Sequence, residues 1–120
     1  MIYLTAGILA GLGMAFEPNW LPFLLAPHAH LNLVGFVSLV IFGVAYHILP
    51  RFRGRPLWSD SLALWQFRLA NVGLVGLVVV WIAKGFYSGK MLDHILGTFG
   101  LVLTVSFILF VVNIWKTLEE

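Results

Sequence analysis

An all-α integral membrane protein, a four-helix up-down bundle, is the fold class this chain predicts, on three observations. Of its 120 residues, 61% are hydrophobic and only 10% charged, whereas soluble domains carry about 25% charged residues. No Asp, Glu, Lys or Arg occurs from Pro18 through Pro50, and none from Ile95 through Trp115. The apolar stretches are joined by short connections, which make consecutive helices antiparallel neighbours.

The elements follow in order within one transmembrane domain over residues 1–120. Residues 2–16 form a first helix, short against the roughly 20 residues of a full span. They lack the basic start and small-residue cleavage site of a secretory signal, so the segment is expected to stay in the protein. Glu17, Pro18 and Asn19 break it, and Trp20 to Ala26 could continue as an interfacial piece. The second helix is expected over 28–49, between Pro27 and Pro50, because proline suits a helix entry and a stop. The third runs over 60–83, with Ser59 as its N-cap. The fourth covers 91–115.

Charge placement sets the expected orientation. Arg51, Arg53 and Arg55 cluster in the loop between helices two and three, which fits the positive-inside rule. Both termini are then cytoplasmic, and the expected location is a bacterial inner membrane. Trp58, Trp81, Trp115 and Tyr87 fall near helix ends, where interfacial aromatics belong. The basic loop has no interleaved aromatic surface, so no nucleic-acid partner is expected. Cysteine is absent, which excludes disulfides, thiolate metal ligands and covalently attached c-type haem.

Histidines in an uncharged span are costly and point to a site with a role. His28 and His30 begin helix two, and His94 lies near the start of helix four, at similar depth if those helices run parallel. His28 and His30 are two residues apart and point roughly 200° from each other, so they do not chelate one ion together. The expected pair is His30 with His94 across the bundle, His28 being the alternate; two imidazoles from facing helices can hold a haem iron. Gly35, Gly97 and Gly100 would leave room for a flat macrocycle. His47 lies roughly 26 Å along the helix from His30 by helical rise and would serve a second haem. Arg68 could snorkel or meet a haem propionate, and Asn71, Gln66, Asn32 and Ser38 could orient a ligand or glue helices. The same histidines could instead hold Cu or Zn, or be merely interfacial. Gly7-x-x-x-Gly11, Gly73/Gly76 and Gly97/Gly100 read as helix-packing notches, and the first makes a homodimer plausible.

Several stretches together resemble a known family. They are His28-Ala-His-Leu-Asn-Leu-Val-Gly-Phe36, Gly43-Val-Ala-Tyr-His-Ile-Leu-Pro50, Arg55-Pro-Leu57 and Gln66-Phe-Arg-Leu-Ala-Asn-Val-Gly73. This pattern resembles subunit I of haem-copper oxidases, chiefly the cbb-type enzymes and the related nitric oxide reductases, over about residues 27–75. The resemblance implies a b-type haem site in a minimal oxidase-like module. It would serve electron transfer or the binding or reduction of a diatomic gas (O2 or NO), with a redox protein or quinol as partner. A histidine pair expected near Val80 to Lys84 is missing, so the resemblance does not extend to a complete copper centre. A structural or assembly role in a respiratory complex is the alternative.

Overall fold

The computed structural model describes residues 1–119. It contains four helices in up-down order: α1 (Ile2–Phe16), α2 (Pro18–Arg53), α3 (Asp60–Lys84) and α4 (Lys90–Glu119). The last three are long and apolar enough to cross a membrane, and α1 is shorter. Most large apolar side chains on α2, α3 and α4 are exposed, such as Leu33, Val79 and Leu101. Lipid rather than a neighbouring helix is their solvent.

The main departure from the sequence reading is α2. The expected helix over 28–49 is a 36-residue helix starting at Pro18. It opens with a 3₁₀ turn, Pro18–Trp20, and Pro22 sits within the first two positions of the α-helical part. Pro27 and Pro50 lie inside the helix rather than at its ends, and both are buried. A proline inside a helix costs about 3 kcal/mol. Ending the helix in hydrocarbon would instead expose several backbone groups at several kcal/mol each, so continuing the helix is the cheaper solution. Leu31–Ser38 is wound as a π-helix, and the Ser38 hydroxyl donates to the Leu33 carbonyl five residues back at 2.9 Å.

The wide segment divides two packing partners. Before it, Leu21–His30 packs on α1 and α3; after it, Leu39–Arg53 packs on α4. Phe42 stacks on Phe110, and Tyr46 meets the same ring edge-on. The helix ends where Gly54 adopts a left-handed φ of 65°. That turn lets the Gly54 and Arg55 amides donate back to Arg51 and Pro50 carbonyls at 3.0 and 3.1 Å, as a helix C-cap requires.

The closest helix pair is α3 with α4. The buried seam of α3 is Gln66, Ala70, Gly73, Leu74, Gly76, Leu77 and Val80, spaced at three and four residues. It meets Leu103, Ser106, Asn113 and Thr117 of α4. Small residues let the backbones approach: a Cβ on Gly73 would lie 2.8 Å from the Leu103 amide nitrogen. Such packing replaces the hydrophobic drive that is absent between helices in lipid.

At the arginine end the seam is closed by hydrogen bonds. Asn113, fully buried, donates to the Ser59 carbonyl at 2.8 Å and accepts from the Ser59 amide at 3.1 Å. Thr117 accepts from the Trp58 amide at 3.0 Å and donates to the Asn113 carbonyl at 2.7 Å. Ser59 caps α3 as the sequence predicts, accepting from the Leu62 amide at 3.1 Å. The molecule measures 52 × 30 × 16 Å. The bundle is therefore a flattened layer of helices, not a square bundle around a central chamber.

Candidate metal and haem-ligating site

Because α2 begins ten residues before His28, the histidines do not sit at its outer tip. Counted from Leu21, His28 and His30 lie about two turns or more into the helix, roughly 10–14 Å along it by helical rise. Both are half-buried.

Each histidine has one nitrogen committed to the backbone. His28 Nδ1 is 2.7 Å from the Gly7 carbonyl of α1. His30 Nδ1 is 2.9 Å from the Ala26 carbonyl one turn earlier on its own helix. A carbonyl only accepts, so Nδ1 carries the proton in both rings and donates it. In the neutral ring the unprotonated nitrogen is then Nε2, which has no hydrogen-bond partner among the described residues. An Nδ1–H held by a backbone carbonyl is the arrangement that orients imidazole as a metal ligand through Nε2.

The first helix makes this possible. Gly7 and Gly11 form a notch in α1 that receives Asn32 and His28, one turn apart on α2. A Cβ on Gly11 would lie 2.7 Å from His28 Cε1, and one on Gly7 would overlap the Asn32 amide. The Gly7-x-x-x-Gly11 face is thus taken within the chain. The homodimer expectation loses the surface on which it rested. Asn32 Nδ2 lies 3.3 Å from His28 Nδ1, and its Oδ1 is buried without a partner.

The other expected site residues fall elsewhere. His94 is exposed on α4, and α4 packs on α3 and on the second half of α2. His28 and His30 are on the first half, which packs on α1 and α3. The outer ends do meet, since Phe23 of α2 contacts Gly85 and Phe86, although Leu21–His30 does not pack extensively on α4. Gly97 and Gly100 face open space, with no neighbour for a macrocycle to be held against. Gly35 is filled by Tyr3 and Leu74. His47 is exposed on the second half of α2. Arg68 is exposed, its guanidinium 5.6 Å from the centre of the Trp65 ring; this is a cation–π contact on the surface of α3. Asn71 accepts from the Tyr3 hydroxyl at 2.5 Å and donates to the Phe67 carbonyl at 2.7 Å, tying α1 to α3.

No group of three His, Cys, Asp or Glu side chains gathers at one point among the described residues. A groove of about 490 Å³ between α3 and α4 is lined by Asn71, Val75, Gly76, Val79, Val80 and Phe99 among others. The sequence reading missed Gly7 and Gly11 as the support of His28. Their spacing was visible, but which helix they met was not.

No family model matches the chain, and no solved structure matches it. Among curated proteins it is 34% identical over 65 residues to the cytochrome c oxidase subunit 1 of Rhodobacter capsulatus. It is 34% identical over 50 residues to the quinol oxidase subunit 1 of Sulfolobus acidocaldarius. The Cbb3-type cytochrome c oxidase subunit CcoN1 of Stutzerimonas stutzeri is 32% identical over 65 residues. These matches cover 53%, 42% and 53% of this chain, and 12%, 9% and 14% of the relatives. The chain spans about one-eighth the length of the curated relatives it matches. Over roughly half of its own length, it is related to subunit I of the haem-copper oxidases.

Proposed function

We propose that this chain is a b-type haem-binding membrane protein of oxidase character, acting in electron transfer or in the binding or reduction of O2 or NO. The observation that carries this reading is the state of the two histidines. Both rings give Nδ1–H to a backbone carbonyl and keep the Nε2 lone pair, inside a membrane helix of a chain related to oxidase subunit I. Neutral imidazole with a free Nε2 is the donor that haem iron takes.

His28 and His30 serve as ligands to separate irons or as alternates, since two residues of separation turn them to different sides. Haem, when bound, supplies the one-electron chemistry. The chain's own contribution is to hold each imidazole in one orientation through its Nδ1–H. The flattened layer leaves one side of these histidines without a wall, so a second chain, another copy or a respiratory partner, completes the site. A redox protein or quinol is the electron partner, and the arginine end faces the cytoplasm of a bacterial inner membrane, with both termini on that side. His94 and His47 enter only across such an interface. The Cu or Zn alternative has less support, because a zinc site takes three or four protein ligands and no such cluster forms among the described residues.

The test is a reduced-minus-oxidised and pyridine haemochrome spectrum of protein purified in detergent after expression with haem supplementation. A b-type signal is expected; carbon monoxide then reports whether an axial position is open. A colourless protein after reconstitution would remove the haem reading, and elemental analysis of the same sample would decide for or against copper and zinc.

A further inference from the structure

The arginine end of the bundle carries a second feature, unrelated to the histidines. The loop after α2 folds back against the last turns of α4 and leaves a cavity of about 320 Å³. Its lining is Arg55, Pro56, Leu57, Trp58, Lys116 and Thr117. Two cationic side chains thus share one recess with apolar walls. Arg51 and Arg53 stand on the preceding turn of helix, so the field at this end is positive beyond the recess itself. Asp60 and Glu119 are the acidic residues nearest in sequence, and both are exposed.

The recess is built rather than incidental. Gly54 reverses the chain at a left-handed φ, which places Arg55 at the start of the returning loop. The loop is then fixed to α4 through Trp58 on Thr117 and Ser59 on Asn113. Thr117 and Asn113 are 3% and 0% exposed, so these bonds are shielded from competing water. The position along the molecule also matters. The molecule is 52 Å long, while the hydrocarbon core is about 30 Å thick. The end of α2 therefore stands at headgroup level.

We propose that this recess binds the phosphate headgroup of an anionic phospholipid. Arg55 and Lys116 meet the phosphate, Arg giving a planar fork of donors and Lys a point charge. Trp58, Leu57 and Pro56 lie along the glycerol and upper acyl carbons, as a tryptophan at the membrane interface does. Each Lys or Arg near an anionic leaflet contributes about 1 kcal/mol, and a shaped recess adds selectivity to that general attraction.

Native mass spectrometry of the full chain in detergent, titrated with phosphatidylglycerol and with phosphatidylcholine, tests this. Phosphatidylglycerol should be retained and phosphatidylcholine should not. The double substitution Arg55→Ala with Lys116→Ala should weaken phosphatidylglycerol binding by roughly tenfold or more. The double substitution Lys84→Ala with Lys90→Ala, an equal change of charge at the opposite end, should leave it within about twofold. Equal binding by the wild type and the Arg55/Lys116 variant overturns the proposal, as does an equal loss in both variants. Inorganic phosphate binding as tightly as the lipid would assign the recess to free phosphate and overturn the lipid reading.

Discussion

Polar groups are handled oppositely at the two ends of this molecule. At the arginine end, Ser59, Asn113, Thr117 and the Trp58 amide bond one another helix to helix, although Tyr46 Oη and Gln66 Nε2, further along α2 and α3, are buried without a partner. Two turns into α2 from the other end, His28 and His30 are satisfied at one nitrogen only, and Asn32 keeps a buried oxygen without a partner. In hydrocarbon an unanswered polar group is expensive. A closed set of hydrogen bonds therefore marks a structural joint, and an open lone pair held in a fixed tautomer marks a place where chemistry can attach.

The largest effect that would sharpen this contrast is loss of the ligand set. His30→Ala should abolish or reshape the haem spectrum while the protein still purifies as a folded bundle, because its only recorded bond is within its own helix. His28→Ala should do the same and also loosen α1, since its hydrogen bond to the Gly7 carbonyl is lost. His94→Ala should leave the spectrum unchanged unless another copy brings that residue in. A spectrum indifferent to His28 and His30 but lost with His94 would reverse the assignment.

The joint should respond in the opposite way. Asn113→Ala leaves the Ser59 amide without its partner, while the Ser59 carbonyl keeps the Ala63 amide; the loss costs about 1–3 kcal/mol. Thermal unfolding in detergent should show that loss with haem per chain unchanged. A drop in haem content at constant stability would break the division of roles.

Packing effects of comparable or smaller size separate two glycines on one seam. The obstacle to a Cβ on Gly73 is the Leu103 backbone, whereas on Gly76 it is the Phe99 ring. A ring can turn and a helix backbone cannot. Gly73→Ala should therefore cost about 1–3 kcal/mol, and Gly76→Ala measurably less, read as two unfolding midpoints under one condition. Equal midpoints would mean that α3 and α4 separate readily, and the seam would not be rigid.

The smallest expected effect is at Arg68. Its guanidinium sits over Trp65 on an exposed face, an interaction of about 0.5–1 kcal/mol. Arg68→Leu should leave haem retention and redox potential unchanged. A fall in retention would place a propionate there and join this face to the site.

Much of the architecture was legible because the bilayer constrains it strongly. The number of helices, their up-down order, Ser59 as a cap and the break at Glu17 to Asn19 all follow from local composition and cap chemistry. The start of α2 did not, because Pro27 looks like a boundary when helix breaking is judged as it would be in water. In lipid the alternative to a strained helix is exposed backbone, and the helix continues.

The candidate site divides along the same line. Residue type and spacing alone determined that His28 and His30 are costly, deliberate and unable to chelate one ion together, and that the chain resembles oxidase subunit I. Only the tertiary structure decided that Gly7 supports His28 and that the bundle is a flat layer. These are matters of which helix faces which, and α2 changes partners midway along its length, at a π-helical segment that no local pattern announced. Periodicity reports the faces of one helix; long-range packing selects the neighbour that each face meets.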